Sequence, residues 1–242
     1  MKWLEAAWPA PSQVVAGVTT REAGASQGVY AAGNVGDHVG DQPGAVTANR
    51  QRLRETLPGL QAISWLTQVH GTDVVAASAE ESQRADAQYC VARGLGCAVM
   101  SADCLPVLFC NQRGDWVAAA HAGWRGLAAG VLEATVARYP GDPAELLAWL
   151  GPAISAARFE VGPEVRDAFA AVSPGAAACF IDSPNPGRYL GNLYALARQR
   201  LSAAGLTGIH GGGFCTYMDG RRFYSYRRDG ETGRMASLVY LR

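Results

Sequence analysis

Long stretches of this chain are apolar without interruption rather than alternating. Residues 97–101, 105–110, 116–121 and 146–150 are nearly continuous runs of Ala, Val, Leu, Phe, Trp and Cys. Short runs of this kind, bounded by turn residues, predict strands covered on both faces. Residues 14–20, rich in β-branched side chains, predict a further strand. Residues 63–70 and 74–77 predict two more, joined by the turn Gly71-Thr72-Asp73. Residues 214–226 and 235–241 read as strands in the tail, separated by the charged loop Arg227-Arg228-Asp229-Gly230.

Helical spacing takes over in four places. Val46, Asn49, Leu53 and Leu57 follow the start signal Asp41-Gln42-Pro43 and stop at Pro58-Gly59. Leu127, Val131, Leu132, Thr135 and Tyr139 share one broad side of a segment that opens at Gly123–Arg125 and ends at Pro140-Gly141. Pro163 suits the first position of a helix carrying Val165, Ala168, Phe169 and Val172. Leu193, Leu196, Ala197, Arg200 and Leu201 define the last helix, before Gly205. Gly24, Gly28, Gly33, Gly36 and Gly40 punctuate a long irregular segment. Strands come in runs and outnumber helices, which predicts an α+β fold with mixed sheets covered by helices. With no internal repeat or linker, residues 1–242 are expected to form one domain.

Composition narrows the function. Lys plus Arg and Asp plus Glu both number 21, and no basic stripe stands ready to neutralise phosphates, so nucleic acid is not an expected partner. No apolar run approaches the length of a membrane span, and the N-terminal residues lack a leader's apolar stretch. A soluble, cytoplasmic protein is expected. Six cysteines among apolar neighbours suit buried thiols in a reducing compartment. Neither GxGxxG nor a P-loop is present.

The candidate chemistry lies in three separate segments, Gln68-Val69-His70-Gly71, Ser101-Ala102-Asp103-Cys104 and His121-Ala122-Gly123-Trp124-Arg125. Two imidazoles and a thiolate suit zinc, with a fourth tetrahedral position left for water. A second reading of the same residues makes Cys104 a nucleophile, His121 its base and Asp103 or another carboxylate the orienter. A third places copper on His70, Cys104 and His121 with an axial thioether from Met100, Met218 or Met235. A trinuclear copper cluster would need more imidazoles than His38 and His210 provide. Spacing alone does not choose among these, because the ligands are far apart in sequence. Arg125 and Arg227 are candidate anion contacts, Arg125 favoured by its place at a helix start. Asn34 and His38 are candidate pocket residues in the Gly-rich segment.

Taken together, further segments resemble one family: Thr19-Thr20-Arg21, Asn34-Val35-Gly36-Asp37-His38-Val39-Gly40-Asp41, Gln68-Val69-His70-Gly71, Ala85-Asp86-Ala87, Ala102-Asp103-Cys104, His121-Ala122-Gly123-Trp124-Arg125-Gly126, Gly151-Pro152-Ala153-Ile154, Phe159-Glu160-Val161-Gly162, Cys215-Thr216-Tyr217 and Ser225-Tyr226-Arg227-Arg228-Asp229 with Thr232-Gly233-Arg234. The chain resembles the YfiH family, also called the laccase-domain or multicopper polyphenol oxidase family, over almost its whole length. The resemblance implies a single-domain layered α/β/β/α fold, shared with cysteine hydrolases, and metal ligands at His70, Cys104 and His121. It implies a small-molecule enzyme using zinc or copper. The activities described for the family are phosphorolysis of adenosine, inosine and methylthioadenosine with adenosine deamination, a peptidoglycan-editing amidase acting on UDP-MurNAc-L-Ser, and weak phenol oxidation. One departure is Asn192 before the last helix, where relatives usually carry Asp; the missing carboxylate removes either a helix cap or a partner for a ligand histidine.

Overall fold

The computed structural model describes residues 1–242 and contains two sheets packed face to face between helices. The first sheet runs in the order Trp3–Glu5, Val14–Thr19, Met235–Leu241, Leu95–Ser101, Ala62–Ser64 and is antiparallel except for its last pair. The second runs Gly208–Gly211, Leu146–Leu150, Leu105–Asn111, Val117–Ala122, Ala87–Cys90, Val74–Ala76, with antiparallel pairs in the middle and a parallel pair at each edge. Small ladders of three strands (Glu160–Val161, Tyr189–Gly191, Phe180–Asp182) and two (Leu66–Thr67, Gln83–Arg84) flank them.

Three buried clusters explain why the strands read as apolar runs. Successive side chains of a strand point to opposite faces, and here both faces are covered. Val107 and Phe109 point outward from the second sheet, toward Leu127, Leu132, Leu196 and Leu201 of the helices. Their neighbours Leu108 and Cys110 point inward, and meet Val18, Val99 and Val239 of the first sheet. The outer face of that first sheet, with Ala98, Met100, Leu238 and Tyr240, is closed by Leu53 and Leu57 of the helix Pro43–Thr56 and the residue that follows it. The order of layers is therefore helix, sheet, sheet, helix, as the resemblance implied.

The four helices form where the apolar spacing places them: Pro43–Thr56, the 124–136 segment, Pro163–Val172 with Pro163 in its first turn, and Leu193–Ala203. The second of these is broken into Trp124–Ala129 and Val131–Val136 by Gly130, whose φ of 105° only glycine adopts without strain. Asn192 caps the last helix, its side chain accepting from Ala195 N at 3.1 Å, so the amide does the capping work expected of Asp.

Two expectations need correction. The predicted hairpin over 63–77 does not form: Ala62–Ser64 pairs with the first sheet and Val74–Ala76 with the second. The connection crosses between layers, and Leu66–Thr67 pairs with Gln83–Arg84 on the way. Residues 214–226 are turns rather than strand. Phe223 and Tyr224 are fully buried, but their N–H groups go to Asp219 O and to the Met235 thioether instead of a ladder. The charged loop after them is a single helical turn, Tyr226–Asp229, capped by Ser225.

Candidate metal centre

Past Leu66–Thr67 the chain turns sharply at His70, which has φ 60°, in the left-handed region disfavoured for residues with a side chain. The turn is held by one carboxylate. Asp86 Oδ1 accepts from His70 N at 2.9 Å, and Oδ2 accepts from Val69 N at 3.0 Å and Gly71 N at 2.7 Å. Asp86 is fully buried, one residue before the strand Ala87–Cys90. Its Oδ1 also accepts from Nδ1 of His121, at 2.8 Å, and its backbone carbonyl accepts from His121 N. His121 sits one residue before the end of Val117–Ala122, the neighbouring strand. Thus the same carboxylate touches both histidine segments.

Cys104 enters from the opposite direction. It lies in the short crossover from Leu95–Ser101 in the first sheet to Leu105–Asn111 in the second, directly after Asp103, whose φ is 93°. Asp103 is held by Thr216 Oγ1 at 2.6 Å, Arg227 N at 2.7 Å and, through its carbonyl, Ile154 N. Asp103 therefore pins the Cys104 turn to the tail of the chain. It does not orient a histidine; Asp86 does that. Gly123 completes the corner, since a Cβ there would stand 2.9 Å from His70 Cδ2 and 3.1 Å from Cys104 Sγ.

These turns bring three ligand atoms, from His70, Cys104 and His121, within 4.8 Å of one another. Cys104 Sγ and His70 Nε2 are 3.9 Å apart, and the two imidazoles meet edge to face at 4.9 Å. A tetrahedral zinc with ordinary bond lengths separates a sulfur and a nitrogen ligand by about 3.6 Å, so the three groups fit such an ion with small side-chain movements. The electrostatics match. Burial pushes the Cys104 thiol up, but the charge of His121 and hydrogen bonds from both imidazoles outweigh it and lower the pKa to about 6. Burial lowers His121, and the Cys104 thiolate and Asp86 reverse this, raising it to about 9. For Asp86, burial opposes ionisation, while the imidazole and the backbone N–H groups of Gly71 and Val69 override it and hold the carboxyl below its ordinary value.

His70 and Cys104 open into a cleft of about 260 Å³ that also takes in Trp124, Arg125, Phe159, Tyr226 and Arg227, whereas His121 is buried and does not line it. A larger hollow near Trp3 and Trp8 has no histidine or cysteine in its wall. Arg125 is exposed at the cleft with its guanidinium 4.5 Å over the Trp124 ring and makes no hydrogen bond or ion pair. Only six residues follow Gly123 before the Gly130 break, so any anion here meets the guanidinium rather than a long helix dipole. Arg227 also borders the cleft, but its Nη1 donates to Glu160 O at 2.9 Å. The structure does not bring Asn34 to the site. It is fully buried, with its side chain committed to Gly36, Asp41 and the N–H of Arg234, and has no polar atom left for a ligand. His38 lies on the surface against Asp37, and His210 on an edge strand. No methionine is free to cap the trio: Met100 Sδ faces Arg50, Met218 Sδ accepts from Arg158 and Met235 Sδ from Tyr224 N. His70, Cys104 and His121 are the one group of three or more potential metal ligands in the structure.

The sequence reading gives no role to Asp86, which joins both histidine segments here and counts there only as part of the Ala85-Asp86-Ala87 segment of the resemblance. Its signal was available: a lone carboxylate between two alanines at the start of an apolar run, where a charge survives only if it is fully hydrogen-bonded.

Comparison with known proteins identifies the family. Residues 15–242 match the family model described as multi-copper polyphenol oxidoreductase laccase. The chain is 57% identical over 241 residues to a purine nucleoside phosphorylase of Pseudomonas aeruginosa, covering 99% of this chain and 98% of that one. It is 52% identical over 238 residues to the purine nucleoside phosphorylase YfiH of Escherichia coli, covering 97% and 96%. Among solved structures, a Neisseria meningitidis protein superposes with a TM-score of 0.96 at 50% identity, covering 100% and 99%. YlmD from Geobacillus stearothermophilus superposes at 0.94 with 32% identity, covering 100% and 97%. On its sequence, its four-layer fold and the turns that gather His70, Cys104 and His121, this chain belongs to the YfiH, or multi-copper polyphenol oxidoreductase laccase, family.

Proposed function

We propose that this protein is a zinc-dependent purine nucleoside phosphorylase, acting on adenosine, inosine or methylthioadenosine. The observation that carries the reading is the convergence of His70, Cys104 and His121 beside a cleft that His70 and Cys104 line and whose other walls are aromatic and basic. In phosphorolysis the C–N glycosidic bond breaks, a C–O bond to phosphate forms and the base leaves with a proton. The indole of Trp124 and the rings of Phe159 and Tyr226 offer apolar surface for a flat base. Arg125, with no hydrogen-bond or ion-pair partner in the protein, is the group available to a phosphate, and the half-committed Arg227 lies on the same rim. When bound, zinc supplies a Lewis acid and lowers the pKa of water, chemistry that also serves deamination of adenosine to inosine. His70, Cys104 and His121 serve this chemistry by holding the ion, and Cys104 does so as a thiolate near neutral pH.

The test is direct: zinc-loaded protein with inosine and phosphate should yield hypoxanthine and ribose 1-phosphate, and adenosine should yield adenine or inosine. Absence of all these products would overturn the reading. A second reading is favoured by one observation, the serial contact of Cys104, His121 and Asp86, which is the arrangement of a thiolate hydrolase. It corresponds to the amidase acting on UDP-MurNAc-L-Ser, and release of serine from that substrate with no turnover of nucleosides would select it.

A further inference from the structure

Metal sites depend on what holds the ligands as much as on the ligands. A histidine ligand commonly donates its second ring N–H to a carboxylate, which fixes tautomer and ring orientation. Here a single carboxylate does this and something more. Asp86 accepts Nδ1–H of His121, leaving the other ring nitrogen for Cys104, and with its remaining lone pairs takes the N–H groups of Val69, His70 and Gly71. The second set of bonds stabilises the left-handed turn that aims the His70 imidazole at Cys104. Asp86 is wholly buried, and no arginine or lysine pairs with it; His121 is its only ion-pair partner. A neutral acceptor does not match the carboxylate at this position. Asp86 meets four donors with two oxygens, which an amide with one oxygen and an NH2 group cannot do.

We infer that Asp86 is the positioning residue of the metal centre, setting the geometry of two of its three ligands at once through the ring of His121 and the backbone of His70. It does not touch the ion or the reacting atoms. In Asp86→Asn, an NH2 group turned toward Val69 and Gly71 would oppose their N–H groups and loosen the His70 turn. Turned the other way, it would donate to His121 Nδ1, move the ring proton to Nε2 and block the ligand position. Either outcome disables one ligand.

The inference rests on the metal reading above, so the experiment separates the two. Zinc affinity is measured by chelator competition for wild type, Asp86→Asn and Cys104→Ala, alongside thermal unfolding of each without zinc. Wild type should bind one zinc, and Asp86→Asn should bind it about 100-fold more weakly, the upper end of effects seen for partners of ligand histidines. A wild type that binds no zinc overturns the metal reading itself. A wild type that binds, with an Asp86→Asn protein that binds equally well, overturns the role of Asp86 and leaves the metal reading standing. Should Asp86→Asn fail to fold, nitrogen NMR of zinc-loaded wild type decides without it. His121 should show a protonated, slowly exchanging Nδ1 and a metal-shifted Nε2, and the amides of Val69, His70 and Gly71 should resist hydrogen exchange. Coordination through His121 Nδ1, or rapid exchange at those amides, would refute the proposal.

Discussion

Two irregular regions of this molecule are built alike and end differently. In the Gly-rich segment 24–40, a buried Asn49 from the neighbouring helix ties the loop together: its amide donates to Ser26 Oγ, Ala32 O and Asn34 O and accepts from Ala25 N. In the corner around residues 68–71, a buried Asp86 does the equivalent with four donors. The loop closes on itself; both Asn49 and Asn34 are fully buried and saturated. The corner does not close, because beyond Asp86 the two imidazoles and the Cys104 thiol face one another, and His70 and Cys104 line a cleft. A hydrogen-bonded network that saturates is architecture, whereas one that stops short at three ligand atoms is a site.

Breaking the comparison should have unequal consequences. The largest effect is expected for Cys104→Ala, which removes a ligand: nucleoside turnover should fall by more than about 100-fold, exceeding the loss typical for a ligand's supporting partner, while circular dichroism stays unchanged. Asn49→Ala should do the reverse. It leaves buried N–H and C=O groups unpaired and should cost about 3 kcal/mol, lowering the melting temperature by roughly 6 to 12 °C for a chain of this size, with zinc stoichiometry intact at lower temperature. If Asn49→Ala instead emptied the metal site while stability held, the loop and the corner would not be separate devices.

Smaller changes sharpen it. Gly123→Ala should weaken zinc binding by about tenfold, because the new methyl lies within 3.1 Å of both His70 and Cys104 atoms and forces them apart; chelator competition reads this. Arg125→Ala should raise the KM for phosphate by about tenfold, the worth of one charge-assisted hydrogen bond, with little change in the KM for inosine. In protein stripped of zinc, the pH dependence of iodoacetamide attack on Cys104 should have its midpoint near pH 6, not near pH 9. The thiolate is the nucleophile, and a lowered pKa keeps it charged to lower pH. A midpoint above pH 8 would mean that the His121 contact is absent in solution.

Much of the fold was legible because the central strands of the sandwich are covered on both faces, which leaves uninterrupted apolar runs such as Leu105–Asn111 and Val117–Ala122. Sheet membership was not legible. Consecutive strands Leu95–Ser101 and Leu105–Asn111 lie in different sheets, and nothing local distinguishes a crossover from a hairpin. The aromatic stretch ending at Phe223 and Tyr224 misled for the same reason: burial is what the sequence pattern reports, and a turn can be buried when a thioether and a carboxylate-bearing segment satisfy its backbone. At the site, His70, Cys104 and His121 stood out by residue type and by their positions at strand ends. Their partner Asp86 did not, since its role depends on contacts to residues 15 to 35 positions away. Asn34 looked like a pocket residue because asparagine in a glycine-rich loop is polar and exposed more often than it is fully interior.

The most direct measurement is anomalous scattering at the zinc edge from crystals grown with one equivalent of zinc. The account predicts a single peak bonded to Cys104 Sγ and one nitrogen from each of His70 and His121, facing the cleft beside Arg125. A zinc peak elsewhere, or zinc-bound crystals in which these three side chains remain uncoordinated, would contradict it.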